Sequence, residues 1–261
     1  MSPAAEPGMR VVRTALCVLE AVSELQPVGV SAIARATGVP KSSVQRCLVS
    51  LREAGWISSP PGGPQRWTLT GRALAVGLRG SAEHGLREAA HAVMQDLRDR
   101  TRETIHLIGF GAGHSPASDA DPALVVIDRL DSPEPVRTWV RLGTRVPLHA
   151  SCSGRAVLSR LPEAEARALV GDGLERFSDQ TITDHDALAD ELRAVRERGY
   201  AIADQSWRSG VGAVAAAVVD AAGRPVGALA VSAPQQRFDA ERAVDLGAAA
   251  VAAAARVSAA L

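Results

Sequence analysis

The 261-residue sequence carries no net charge, only three cysteines, and a single lysine among its 29 basic residues. It has no run of about eighteen apolar residues, which excludes a membrane-spanning helix of ordinary length, and the Ala-rich stretch at 248–255 is too short and weakly apolar to serve as one. No membrane partner is expected. The N-terminus lacks a charged segment leading into an apolar core and cleavage site, so cytoplasmic residence is expected. Cys17, Cys47 and Cys152 form no CxxC pair and leave an odd count, which argues against both a disulfide framework and a zinc site. No cofactor or metal is expected. A balanced charge ordinarily speaks against a nucleic-acid partner, but the distribution is uneven. Residues 1–70 hold seven basic side chains against four acidic ones, and the remainder holds 22 against 25. No internal repeat is evident.

What is present is concentrated first in Ser31 to Leu51, SAIARATGVPKSSVQRCLVSL. Val30, Ile33 and Ala34 fall on one face of a short helix, with Ser31 as its N-cap. Gly38 supplies a turn that a bulky residue would resist. Pro40 opens a second helix, in which Val44, Cys47, Leu48 and Leu51 repeat as a buried stripe and Ser42, Gln45, Arg46 and Val49 lie opposite. This is the layout of a helix-turn-helix whose second helix enters the DNA major groove. The single lysine, Lys41, stands at that helix's start, where phosphate is already attracted. Gly55 then ends the helix, Trp56 to Ser59 reads as a strand, Pro60 to Pro64 as a turn and Arg66 to Leu69 as the returning strand. That hairpin makes the module a winged helix, with Arg66 near the phosphate backbone. Arg46 is the expected guanine contact and Gln45 the adenine contact, with Lys41, Ser42 and Ser43 on phosphates.

Residues 1–8 show no periodicity and are expected to be disordered. Val12, Ala15, Leu16, Leu19 and Val22 form a helical stripe within Met9 to Ser23. Thr70 caps a helix interrupted by Gly77, Gly80 and Gly85, so a linker helix is placed at 70–85, between a DNA-binding domain at 9–69 and a second domain at 86–261. The second domain opens with a helix from Leu86 to Arg102 and a strand from Thr104 to Phe110. After the loop Gly111 to Pro122, strands are expected at Ala123 to Leu130 and Val136 to Arg141. Helices follow near PLHASCSGRAVL (Pro147 to Leu158), after Pro162, and from Asp184 to Arg198. Three strands, Gly199 to Asp204, Val211 to Val219 and Val226 to Ser232, precede a closing helix from Asp239. Without regular βαβ alternation, this order predicts an α+β domain with an antiparallel sheet.

Two other functions remain open from the residues alone. His149 and Cys152 could form a nucleophile pair in a hydrolase, although they sit three apart with no third orienting group. The winged helix could instead serve protein contacts, with the second domain as an oligomerisation module.

The ordered set RTALCVLEAV (Arg13 to Val22), the helix-turn-helix, PLHASCSGRAVL, TITDHDALADELRAVRERGYAIAD (Thr181 to Asp204) and GRPVGALAVSAP (Gly223 to Pro234) resembles the IclR family of bacterial transcriptional regulators. The resemblance implies a winged helix, a linker helix and a GAF-like effector-binding domain. It also implies a homodimer or homotetramer on a near-palindromic double-stranded operator, more often repressing than activating, and a small-molecule effector such as an organic acid or an aromatic compound. Carried over by position, the effector pocket falls at Ala150, Ser151, Cys152, Ser153 and Gly154, at Ala203, Asp204, Val211 and Ala213, and at Ala230 and Ser232. Hydroxyls and free N–H groups at Ser151 to Ser153 could converge on a carboxylate, or Ser153 could simply cap the helix. The chain departs from the family pattern three times: Gly212 and Ala213 replace the Arg-Cys of a GxRC pattern, Ala230 replaces the first Ser of Ser-x-Ser, and Ala203 occupies the place of an acid, with Asp204 next. Each change removes hydrogen-bonding capacity, so the pocket is expected to be more apolar and to accept a larger or more hydrophobic ligand than a small keto acid.

Overall fold

The computed structural model describes residues 9–60, 65–77, 82–110 and 124–261, the side chains of 82–84 excepted. The expectations for residues 1–8, the wing tip at 61–64, the linker residues 78–81 and the loop at 111–123 lie outside the described residues. The chain divides into two compact units, Met1–Ser81 and Ala82–Leu261.

In the first unit, α1 (Arg10–Leu25), α2 (Val30–Thr37) and α3 (Lys41–Glu53) surround a core that includes Val18, Val22, Ile33, Leu48 and the fully buried Trp67. Apolar residues on α1 occupy more than one face, and packing against α2 and α3 buries Val18, Ala21 and Val22. The stripe expected through Val12 and Leu16 is instead half-exposed. Ser31 is not the N-cap of α2. Gly29 holds that position and its carbonyl accepts from the Ala32 and Ile33 N–H groups, because a backbone bridge between Val28 and Trp67 fixes the chain up to that point. Gly38 ends α2 with φ at +68°, a left-handed conformation that suits glycine. The wing strands β1 (Ile57–Ser58) and β2 (Thr68–Leu69) pair antiparallel. The Thr70 hydroxyl accepts from the Arg72 N–H at the start of α4 (Gly71–Gly77).

The second unit is built on a six-stranded antiparallel sheet in the order β5-β4-β3-β8-β7-β6. Its strands are β3 (Thr104–Phe110), β4 (Leu124–Leu130), β5 (Arg145–Val146), β6 (Ala201–Asp204), β7 (Val211–Val219) and β8 (Pro225–Pro234). One face carries bulky side chains, among them Ile105, Leu107, Val214, Val218, Leu229 and Val231. These pack against α5 (Ala82–Thr101) and α9 (Ala240–Ser258) through Met94, Leu97, Leu246 and Val257. The other face is mostly alanine: Ala203, Ala213, Ala215, Ala228 and Ala230, backed by Cys152, Ala156 and Val157 of α6 (Cys152–Leu158). Beyond α6, α7 (Glu163–Val170) and α8 (His185–Arg198) form a smaller cluster around Leu158, Leu188 and Leu192.

Gly212 is explained by the bulky face. A Cβ there would come within 2.1 Å of the Phe238 ring, so glycine at this position makes room for a phenylalanine of the core.

The strand expected at Val136 to Arg141 is absent; residues 137–141 are irregular, and β5 follows as two residues only. Side chains, not a neighbouring strand, satisfy the backbone of this strap. The Thr104 hydroxyl donates to the Thr138 carbonyl at 2.7 Å, Arg129 to the Val140 carbonyl at 3.0 Å, and Arg208 to the Trp139 carbonyl at 3.2 Å. The Val140 N–H donates to His106 Nε2 at 3.1 Å. Arg237, held by the buried Glu103 carboxylate, donates to the Val136 carbonyl. A chain segment whose polar groups are already taken has no ladder to offer.

Two outcomes follow from this packing. Gly212→Ala should destabilise the fold by about 1–3 kcal/mol in urea unfolding, and trimming the ring with Phe238→Leu in the same chain should recover part of the loss. His106 is buried, and that burial, aided by Arg129 and Arg208, lowers its pKa to about 4. The unfolded chain therefore takes up a proton near pH 6.5 that the folded chain refuses until about pH 4. His106 thus stabilises the fold fully above pH 6.5, and this contribution is lost as the pH falls toward 4. His106→Leu should lose about 2 kcal/mol less stability between pH 7 and pH 5 than the parent, whatever its stability at neutral pH.

Candidate functional site

The outer row of α3 is polar because its inner row is consumed by the core. Val44, Leu48 and Leu51 are buried, which turns Ser42 and Arg46 outward and leaves Gln45 and Val49 at the flanks. Lys41, Ser42 and Arg46 are exposed; Ser43 and Gln45 are half-buried. Arg46 leans along the helix, its guanidinium 3.5 Å from the Ser43 hydroxyl. Arg66 is exposed in the wing beside the buried Trp67, its N–H donating to the Ser59 hydroxyl. Ser43 and Arg46 share a shallow groove with Arg10 and Thr14 of α1. Arg10 is therefore a further cation beside the reading row, and no periodicity could have found it because the approach of α1 to α3 is a tertiary event.

In the second unit a cavity of about 310 Å³ opens between the alanine face of the sheet, the start of α6 and the strap. The structure brings Ser151, Cys152, Ser153, Ala203, Val211, Ala213, Ala230 and Ser232 to its wall. Three residues expected there lie off the wall. The Ala150 carbonyl accepts from the Ser206 hydroxyl, Gly154 is pressed so close to the Leu148 carbonyl that a Cβ would sit 2.1 Å from it, and Asp204 is exposed. The sequence reading missed His106, Ile108, Val126, Val146, the strap residues 137–140, and Trp207 with Arg208. Strap and loop reach the wall through distant hydrogen bonds, and only the alternation of β3, with Ile105 and Leu107 on the bulky face, could have placed His106 and Ile108 opposite.

The anion cradle expected at the start of α6 is occupied from within. Ser151, not Ser153, is the N-cap: its hydroxyl accepts from the Gly154 N–H at 2.9 Å and donates to the Pro147 carbonyl at 2.7 Å. Within the helix, Arg155 is buried and donates to the Ile202 carbonyl and the Ser206 hydroxyl, which pins the loop carrying Trp207 and Arg208.

Among the described residues no hydrogen bond joins Cys152 to His149. Burial raises the Cys152 thiol to about 11, so little thiolate is present at neutral pH. His149 instead pairs through Nε2 with the Glu175 carbonyl at 2.8 Å and lies beside the Phe177 ring. Among the described residues no helix is long and apolar enough to cross a membrane.

Comparison with known proteins places both units. Residues 81–259 match the bacterial transcriptional regulator IclR C-terminal domain and residues 11–61 the IclR helix-turn-helix domain. The probable transcriptional regulator SauR of Cupriavidus necator is 32% identical over 85% of this chain and 84% of its own. The acetate operon repressor of Salmonella typhimurium is 28% identical over 93% and 86%. Among solved structures, the IclR protein of Thermotoga maritima superposes with a TM-score of 0.73 at 26% identity, covering 96% of this chain and 98% of that one. With one family domain matching most of the second unit and another the helix-turn-helix, the chain belongs to the IclR family of bacterial transcriptional regulators.

Proposed function

We propose that this protein represses transcription by binding a near-palindromic operator as a homodimer or homotetramer, and that an organic acid or an aromatic or otherwise hydrophobic metabolite, bound in the cavity, controls that binding. The observation that carries the proposal is the pairing, in one chain, of an exposed basic row on α3 with a cavity whose walls are largely apolar. Lys41, Ser42 and Ser43 hold phosphates, Gln45 and Arg46 reach base edges, and Arg66 supports the wing on the backbone. A single copy offers few reading side chains, so paired copies must specify the site. The half-exposed Val12 and Leu16 on α1 and the exposed Met9 just before it give such a copy an apolar face to cover.

Ile108, Val126, Val146, Ala213 and Ala230 give the ligand an apolar bed, and a volume near the small end of ordinary ligand pockets favours a compact body. A ligand shifts DNA affinity only if it binds one arrangement of the protein better than another.

The test is a gel shift on DNA from upstream of the protein's own gene, with and without the hits of a thermal-shift screen of organic acids, aromatics and fatty acids. Salt-sensitive binding that a hit alters is expected. No salt-sensitive binding to any native promoter fragment would favour a protein-contact role for the winged helix. Arg46→Ala should cost about 1–3 kcal/mol and relax preference at one base pair; uniform weakening across all sequences would make Arg46 a phosphate contact. Ala230→Leu, which fills the cavity from the sheet, should leave operator affinity within about twofold and abolish the response to the hit, as read by gel shift and calorimetry.

A further inference from the structure

The cavity wall is short of one kind of group. Among the described residues it contains two arginines, Arg137 and Arg208, and no carboxylate. Arg137 is partly accounted for outside the cavity, where it reaches the Glu134 carbonyl at 3.5 Å and, at 4.0 Å, the Asp131 carboxylate that Arg129 holds at 2.6 Å. Arg208 is not. Its guanidinium stacks over the Trp207 ring at 4.5 Å and gives one hydrogen bond, to the Trp139 carbonyl, and no acid among the described residues lies within ion-pair distance of it. Arg208 is exposed, and of the five N–H donors in its planar fork the protein takes only the one given to Trp139. The aromatic plane beneath it fixes the orientation of that fork.

A second donor lies on the sheet side of the same cavity. The Val140 N–H donates to His106 Nε2, so the ring proton sits on Nδ1, which faces the Ser232 oxygen at 3.4 Å. Ser232, buried on the wall, is then left with its own hydroxyl proton to give. Donors and a cation without a carboxylate partner favour an anionic acceptor in whatever fills the space. A carboxylate meets the fork with two oxygens.

We infer that Arg208, oriented by Trp207, is the residue that makes this cavity select an acid over its uncharged isostere. The inference rests on the proposed reading of the cavity as an effector site. It goes beyond that reading by giving charge selection to one side chain on the loop between β6 and β7, and not to the start of α6. The same guanidinium holds the strap at Trp139, so loss of Arg208 also loosens the wall; that loosening affects a charged and an uncharged ligand alike. The ratio of the two affinities isolates charge recognition.

The experiment uses the full-length protein and four matched pairs: benzoate and benzamide, phenylacetate and phenylacetamide, cyclohexanecarboxylate and its carboxamide, octanoate and octanamide. Binding is measured by calorimetry for the parent, Arg208→Gln and Arg208→Lys. In the parent, at least one acid should bind about 10- to 100-fold more tightly than its amide. Arg208→Gln should bring that ratio close to one, and Arg208→Lys, which restores charge without the planar fork, should recover part of it. An acid preference that survives Arg208→Gln overturns the assignment of Arg208, as does equal binding of acid and amide by the parent. If no member of any pair binds at millimolar concentration, the reading of the cavity as an effector site falls, and the assignment falls with it. Matching circular dichroism spectra and thermal midpoints within a few degrees for parent and variants would confirm that folded proteins are being compared.

Discussion

Val214, Val218, Leu229 and Val231 stand on one face of β7 and β8, while Ala213, Ala215, Ala228 and Ala230 stand on the other, and a pleated backbone with a period of two keeps the two sets apart. The second unit depends on this difference in size. Large side chains on one face are buried against α5 and α9. Alanines on the other cannot fill the space beneath α6 and the strap, so a cavity persists there in an otherwise dense interior. The cavity is thus set by the volumes of the strand residues, and most of its polar groups come from elements laid over the sheet, with His106 and Ser232 supplied by the sheet itself.

The strap shows how such a wall can be ordered without regular structure. Its carbonyls and N–H groups are tied by Thr104, His106, Arg129, Arg208 and Arg237, five side chains from four separate places in the chain. Position there depends on the sheet, on the loop between β6 and β7, and on the segment leading into α9 at once. Arg208 couples two of these demands, since one guanidinium meets both the cavity and the Trp139 carbonyl.

Much of this architecture is legible in the sequence because local periodicity and local chemistry agree with the final packing. The stripe at Val44, Leu48 and Leu51, the left-handed turn at Gly38 and the alternation of β7 and β8 need no distant partner to be recognised. Where tertiary contacts choose among local options, legibility ends. The apolar residues of α1 allow two buried faces, and only the approach of α2 and α3 selects the one through Val18 and Val22. Residues 136–141 have the composition of a strand but meet side chains instead of a ladder. Eight wall residues of the cavity were reached by resemblance in motif position. Trp207, Arg208 and His106 lay beyond that, because their place in the wall follows from hydrogen bonds that cross the fold.

The sheet order has a consequence in time. The strand that enters the second unit first, β3, lies at the centre between β4 and β8, and Thr104 faces Ser232 across the pairing with the last strand. A chain emerging from the ribosome can complete the helices and wing of the first unit early, but β3 must wait, one edge unpaired, until β8 has been synthesised. At about 5–20 residues per second that wait lasts many seconds, during which α5 can cover Ile105 and Leu107 but the β8 edge of β3 stays unpaired. The cavity beneath α6 is therefore among the last features to form, after α3 is already in place.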